Sequence, residues 1–93
     1  MSDERYNGWE NYETWNVNLW LSNDEGIYFQ VQAVVEAVDK DTDQPQAILA
    51  DRIQEFVENC VLPDLGASMA SDLLTHALGR VNWDEIARAF LEK

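Results

Sequence analysis

The side chains of this protein that could do chemistry are carboxylates and one imidazole. Asp72 and His76 stand four residues apart, so on a helix they would face one side and could share a metal ion. Two ligands leave such a site incomplete, and no neighbour in the sequence finishes it. An exposed or capping histidine is the simpler reading. Asp39, Asp41 and Asp43 alternate as the opening carboxylates of a calcium loop do. That loop needs Gly at its sixth position and a bidentate Glu at its twelfth, and counting from Asp39 those places hold Gln44 and Ala50. A solvated acidic connector is therefore expected, with a loose cation site as the alternative. Paired carboxylates could also serve glycoside cleavage, but with 18 Asp and Glu in the chain some pair stands at any chosen separation. There is no phosphate-cradling Gly loop, nucleophile elbow or zinc-protease helix. The chain reads as a non-enzyme, with no cofactor and no metal.

The carboxylates say more as a surface. Asp51, Glu55 and Glu58 follow i, i+4, i+7, which on a helix sets neighbours roughly 4.5–6 Å apart along the axis. Like charges at this spacing mildly destabilise a helix. Glu36, Asp39, Asp41 and Asp43 add negative charge near the C-terminus of a preceding helix, where the dipole already disfavours it. Such repeated small costs suggest that negative charge is wanted. A row of carboxylates a few ångströms apart imitates a phosphate backbone, and could occupy the basic groove of a nucleic-acid-binding protein with an affinity that falls steeply with salt. The plain alternative is that the outer face of any helix is charged.

Composition bounds these readings. Ninety-three residues make one domain, 1–93, and 46% apolar residues with 4 Trp, 3 Tyr and 3 Phe are enough to build a core. Eighteen acidic against six basic residues leave a net charge of −12. A potential of that sign repels nucleic acid and anionic membrane and attracts basic proteins. Solubility, or a salt-rich host interior, is the competing explanation for the charge. The single cysteine, Cys60, excludes an internal disulfide, and its place in an apolar helical stripe predicts a buried small hydrophobe. Met1-Ser2-Asp3-Glu4-Arg5 lacks the basic and apolar regions of a signal peptide, and no apolar run is long enough to span a membrane. A cytoplasmic protein is expected.

The elements that would position these residues are helices: an all-α fold, a compact array of about five short ones. Residues 1–10 read as an arm, with Gly8 a turn and Trp9 an anchor. Asn11 is placed to cap a first helix over about Tyr12–Ser22. A second helix over about Asp24–Asp39 carries the stripe Ile27, Val31, Val34, Val35 and Val38. Pro45 suits the first turn of a third helix, running to about Val61 with Ile48, Leu49, Ile53, Phe56, Val57 and Cys60 on one side. Pro63, Asp64 and Gly66 interrupt. Ser68 or Ser71 can cap a fourth helix carrying Met69, Leu73, Leu74, Ala77 and Leu78, with Gly79 as its C′ residue. A last helix, about Trp83–Glu92, opens with Asn82 as cap, Glu85 reaching back, and Val81 and Ile86 as a hydrophobic staple. It should bury Ile86, Ala87, Phe90 and Leu91. Short connections favour antiparallel neighbours.

The stretch from Asn7-Gly8-Trp9-Glu10-Asn11-Tyr12-Glu13-Thr14-Trp15 through Leu21, followed by Asn23-Asp24, resembles the opening of a small acidic domain family of unknown function found in phages, plasmids and other mobile elements. Val81-Asn82-Trp83-Asp84-Glu85-Ile86-Ala87 resembles that family's ending. The two motifs cover about a quarter of the chain. No activity comes with the resemblance, only a setting, in which small acidic proteins often counter host restriction enzymes or CRISPR effectors. The aromatic cluster has two readings. Trp9, Trp15 and Trp20 pack the core, with Asn11, Asn16 and Asn18 capping or bonding the backbone, or Tyr12, Trp15 or Trp20 stays exposed as a binding hot spot.

Together these readings favour a non-catalytic inhibitor of a host defence nuclease, of anti-CRISPR or antirestriction type. Its acidic helix face would take the target's basic nucleic-acid-binding surface, without binding nucleic acid or membrane itself. The alternative is a structural or homo-oligomerising module, such as a homodimer through the apolar first helix.

Overall fold

A computed structural model describes residues 5–92 of the chain. Residues 1–4, the opening of the expected arm and of the segment read for a signal peptide, lie outside the described residues, as does Lys93. The element order is α1 (Tyr12–Asn23), α2 (Glu25–Ala37), α3 (Pro45–Phe56) continued by a π-helical turn (Val57–Val61), α4 (Met69–Gly79) and α5 (Trp83–Leu91). The fold is all-α as expected, and no strand forms among the described residues. The arm closes on itself in a tight turn. Asn7 (φ 49°) and Gly8 (φ 91°) both take the left-handed region that a two-residue reverse turn requires, while Tyr6 and Trp9 exchange backbone bonds of 2.7 and 2.8 Å. Trp9 then packs against the core.

Four of the five α-helices start where a side chain satisfies a free N–H. Asn11 accepts from Thr14 N at 2.9 Å, Asp24 from Ile27 N at 3.0 Å, Ser68 from Ser71 N at 3.1 Å and Asn82 from Glu85 N at 3.0 Å. Helix α3 has no such cap and opens instead on Pro45, whose missing N–H needs none. Asp24 serves both as the end of α1 and the cap of α2, so the two helices turn on one residue. At the far end of α2 the helix stops at Ala37, two residues before the expected end. Lys40 folds back there and donates to Val35 O at 2.6 Å and Val38 O at 3.0 Å, a cation on the negative end of the helix that offsets the acids around it.

The core lies between α3, α5 and α2. Helix α3 packs most extensively on α5 and also against α2, and α1 bridges α2 and α5. Leu49 and Ile53 of α3, Val31 of α2, and Ile86 and Ala87 of α5 are fully buried or nearly so. The valine stripe of α2 points inward as its spacing predicts, with Val31, Val35 and Val38 buried and Ile27 and Val34 half-buried. The staple residues Val81 and Ile86 share this core.

Three expectations are corrected. The third helix does not run regularly to Val61. At Val57 the bonding lengthens to i→i+5, with Leu62 N donating to Val57 O at 3.0 Å. In a regular helix Cys60, seven residues after Ile53, would return to the buried face. A π turn advances fewer degrees per residue, and Cys60 ends exposed. Gly79 is not a left-handed C′ residue but the last residue of α4. The chain leaves through a tightened turn, Arg80 N to Ala77 O at 3.0 Å and Val81 N to Leu78 O at 3.2 Å. Glu85 does not reach back to the N–H of Asn82, because the Thr14 hydroxyl already accepts from it at 2.9 Å. Helix α4, which carries Met69, Leu73, Leu74, Ala77 and Leu78, buries no residue. Met69 is 79% and Leu73 65% exposed, and only Ser71, Leu74, Ala77 and Leu78 are partly covered.

A polar clasp joins the two ends of the chain. Thr14, fully buried, donates to Asn11 Oδ1 at 2.7 Å while accepting from Asn82 N. Asn11, also buried, donates through Nδ2 to Arg80 O at 2.7 Å. Asn82 Nδ2 donates to Glu10 at 2.7 Å, and Glu10 N donates to Glu85 at 3.0 Å. Arg5 completes it at 3.3 Å from Glu85. Buried polar groups must be paired, and here each pairs with a group some seventy residues away in sequence.

Candidate functional site

The three carboxylates of the expected acidic row are exposed but border different grooves. Asp51, Glu55 and Glu58 are all exposed because Leu49, Ile53 and Val57 take the opposite, buried side. Asp51 borders a groove of about 460 Å³ shared with the start of α5, where Glu10 and Asp84 join it. Glu58 overlooks Thr75 and Leu78 of α4 and accepts from Gln54 at 3.1 Å. Glu55 faces the other way, into a groove of about 570 Å³ whose far wall is the C-terminal half of α2. Neutralisation is slight. Arg52 approaches Glu55 at 3.9 Å with both side chains more than 60% exposed, a geometry worth at most about 1 kcal/mol. Arg80 is paired elsewhere, with Glu13 at 3.3 Å, and Asp51 has no ion-pair partner among the described residues.

The acids of the connector divide. Glu36, Asp39, Asp41 and Asp43 are all exposed, but only Asp39 enters the groove that Glu55 borders. Asp39 also organises the connector: its carboxylate accepts from Asp41 N at 2.9 Å and its carbonyl from Thr42 N at 3.3 Å, so the alternating aspartates form a local turn rather than a shared cage. Among the described residues no three His, Cys, Asp or Glu side chains gather into a metal-binding group. Asp72 and His76 are both exposed on α4.

The aromatic cluster also divides. Trp15 is half-buried and packs with Tyr6 and Tyr12, ring centroids 4.9 and 5.5 Å away. Tyr6 meets Tyr12 edge-on at 5.3 Å, and Tyr12 remains 50% exposed. Trp20 is 57% exposed, at the rim of an apolar groove formed with Val17, Ile27 and Leu62. The reading in which Trp20 packs the core is corrected: Thr14 and Leu21, not Trp20, are the buried residues of α1. Residues not singled out in the sequence are Glu10 and Asp84, which extend the acidic groove beside Asp51. Neither carries a local signal, since both sit at helix starts where acids are common and only the docking of α5 on α3 brings them to Asp51.

The match to known families bears on the whole of this arrangement. A family of unknown function (DUF7249) covers residues 2–92. The chain belongs to that family. Its match spans both stretches of the clasp, Asn11 and Thr14 at one end and Asn82 and Glu85 at the other. No curated protein and no solved structure matches the chain. Among the described residues no helix is long and apolar enough to cross a membrane.

Proposed function

We propose that this member of the DUF7249 family is a non-catalytic binding protein that inhibits a nucleic-acid-binding protein by presenting an acidic face in place of a phosphate backbone. The observation that carries the reading is the exposure of Asp51, Glu55 and Glu58 along α3 and its π turn, on a chain of net charge −12. Exposed carboxylates lose no hydration until a partner arrives, and their summed field steers basic surfaces toward them. The mobile-element setting implied by the resemblance makes a host restriction or CRISPR nuclease the first class of target, and places the protein in the cytoplasm with it.

The test is displacement. The protein should release a labelled duplex from at least one member of a panel of purified restriction and CRISPR nucleases. Its apparent affinity should fall steeply between about 50 and about 200 mM salt. The variant carrying Asp51→Lys, Glu55→Lys and Glu58→Lys should lose this while keeping its helical circular dichroism. Displacement by the variant as strong as by the native protein, or none by the native protein across the panel, sinks the proposal.

A second reading, self-association, is favoured by the exposure of Trp20 on α1 beside an apolar groove. Light scattering that reports a monomer at both low and high protein concentration would remove it.

A further inference from the structure

We propose that the groove between the C-terminal half of α2 and the α3–π-turn segment is a docking site for a basic amphipathic segment of a partner protein, which seats a large apolar side chain in the groove between flanking Lys or Arg residues. The proposal rests on the reading that the acidic surface meets a basic protein surface, and it says where on that surface the contact is made and what besides charge it requires.

The first reason is the floor. Val34, Ala37 and Val38 of the α2 side face Ile48 and Phe56 of α3 across about 570 Å³, a volume in the range of cavities that enclose ligands. A phosphate mimic needs no such floor, because a basic nucleic-acid channel offers charge and hydrogen bonds rather than apolar anchors. An apolar depression on an otherwise acidic surface is suited instead to the central anchor of a protein contact.

The second reason is the charge around it. Asp39 stands on one wall and Glu55 on the other, and Arg52 is the one cation among the lining residues. Arg52 is held loosely, at 3.9 Å from Glu55 and 62% exposed, so it can swing aside. Lys40, next in sequence to Asp39, is occupied with the carbonyls that end α2. A segment with an apolar centre and cationic flanks complements this rim, whereas an acidic or second −12 surface does not. The Thr42 hydroxyl, also in the lining, is buried without a hydrogen-bond partner, and an incoming backbone or side-chain group could satisfy it.

The π turn makes the groove testable. By rotating Cys60 out of the core it places the protein's sole thiol in the lining. Occupation of the groove should therefore slow alkylation of the native protein by a maleimide. The probe is a synthetic helical peptide of Leu and Lys. One control replaces Leu by Ser at unchanged charge, and the other replaces Lys by Gln at unchanged apolar face. The Leu/Lys peptide should bind about tenfold or more tightly than either control, the gain expected from burying one large side chain, and should protect Cys60. Cys60→Trp and Ala37→Trp, both at exposed positions, should fill the groove and abolish that advantage. Arg52→Gln should tighten binding. The Asp51→Lys, Glu58→Lys variant, altered outside the groove, should still show Cys60 protection.

Equal binding of the Leu/Lys and Ser/Lys peptides, or an unchanged advantage in Cys60→Trp, would overturn the groove while leaving the acidic surface standing. Binding of neither basic peptide would overturn both readings. Equal binding of the Leu/Gln peptide would make the groove a purely apolar site. Protection of Cys60 that grows with protein concentration alone would assign the groove to a second copy. Either result defeats the proposal.

Discussion

The α1–α5 junction and helix α4 begin from similar local material and end in opposite states. Both α4 and α5 open on a side-chain cap, Ser68 in one and Asn82 in the other, and both carry apolar residues at helical spacing. In α5 that stripe disappears into the core, with Ile86 and Ala87 at 0% exposure, and the helix start is tied to α1 through Thr14, Asn11 and Glu10. In α4 no residue is buried. Periodicity reports that a helix has an apolar side, but a neighbour must supply the surface that covers it. The apolar side of α5 is covered mainly by α3, while buried polar groups from distant parts of the chain satisfy one another at the junction and hold α5 in register against α1.

The widest gap between the two regions should appear on truncating their apolar side chains. Ile86→Ala is expected to cost about 2–5 kcal/mol, the range for emptying a packed core position, a large part of a small domain's stability. Leu73→Ala on α4 should fall within about 0.5 kcal/mol of the native protein. Urea denaturation measures both, and comparable losses would put α4 in the core after all.

Removing the clasp comes next. Asn11→Ala deletes the cap of α1 and the bond from its buried side chain to the carbonyl of Arg80, for an expected loss of about 2–4 kcal/mol, read from the same denaturation curves. A loss below about 1 kcal/mol would mean that water replaces the clasp and that the ends are joined by apolar packing alone.

Ser68→Ala sharpens the contrast in another way. Loss of this cap is worth about 1 kcal/mol, and it should act locally: hydrogen exchange of the α4 amides should accelerate while protection in α5 is unchanged. Uniform acceleration in both helices would show that they unfold as one unit. The smallest effect belongs to the exposed edge of the junction, where Glu13→Gln removes the 3.3 Å pair with Arg80. About 0.2–1 kcal/mol is expected, shrinking as salt is added.

Much of this fold was legible along the chain. The caps Asn11, Ser68 and Asn82, the opening Pro45, the turn at Gly8 and the inward stripe of α2 all follow from interactions that close within a few residues. The errors share a cause. The patterns behind Cys60, Gly79 and Glu85 assume a regular helix or a self-contained cap. A π turn, a tightened turn and the hydrogen bond that the Asn82 N–H donates to the Thr14 hydroxyl intervene. The candidate site shows the same division. The exposure of Asp51, Glu55 and Glu58 follows from the burial of Leu49, Ile53 and Val57 between them, a matter of helical period. That Glu55 and Asp39 face one apolar groove, while Asp51 joins Glu10 and Asp84 in another, has no local signature.

By itself, then, the sequence determined the helices, their starts and the surplus of negative charge, because hydrogen bonds within a turn and the net count of ionised groups need no partner from elsewhere. Only the tertiary structure decided which apolar faces are covered, which carboxylates share a groove and where the single thiol points. Those outcomes depend on how α3 rests against α2 and α5, a geometry set by the packing of residues scattered along the whole chain.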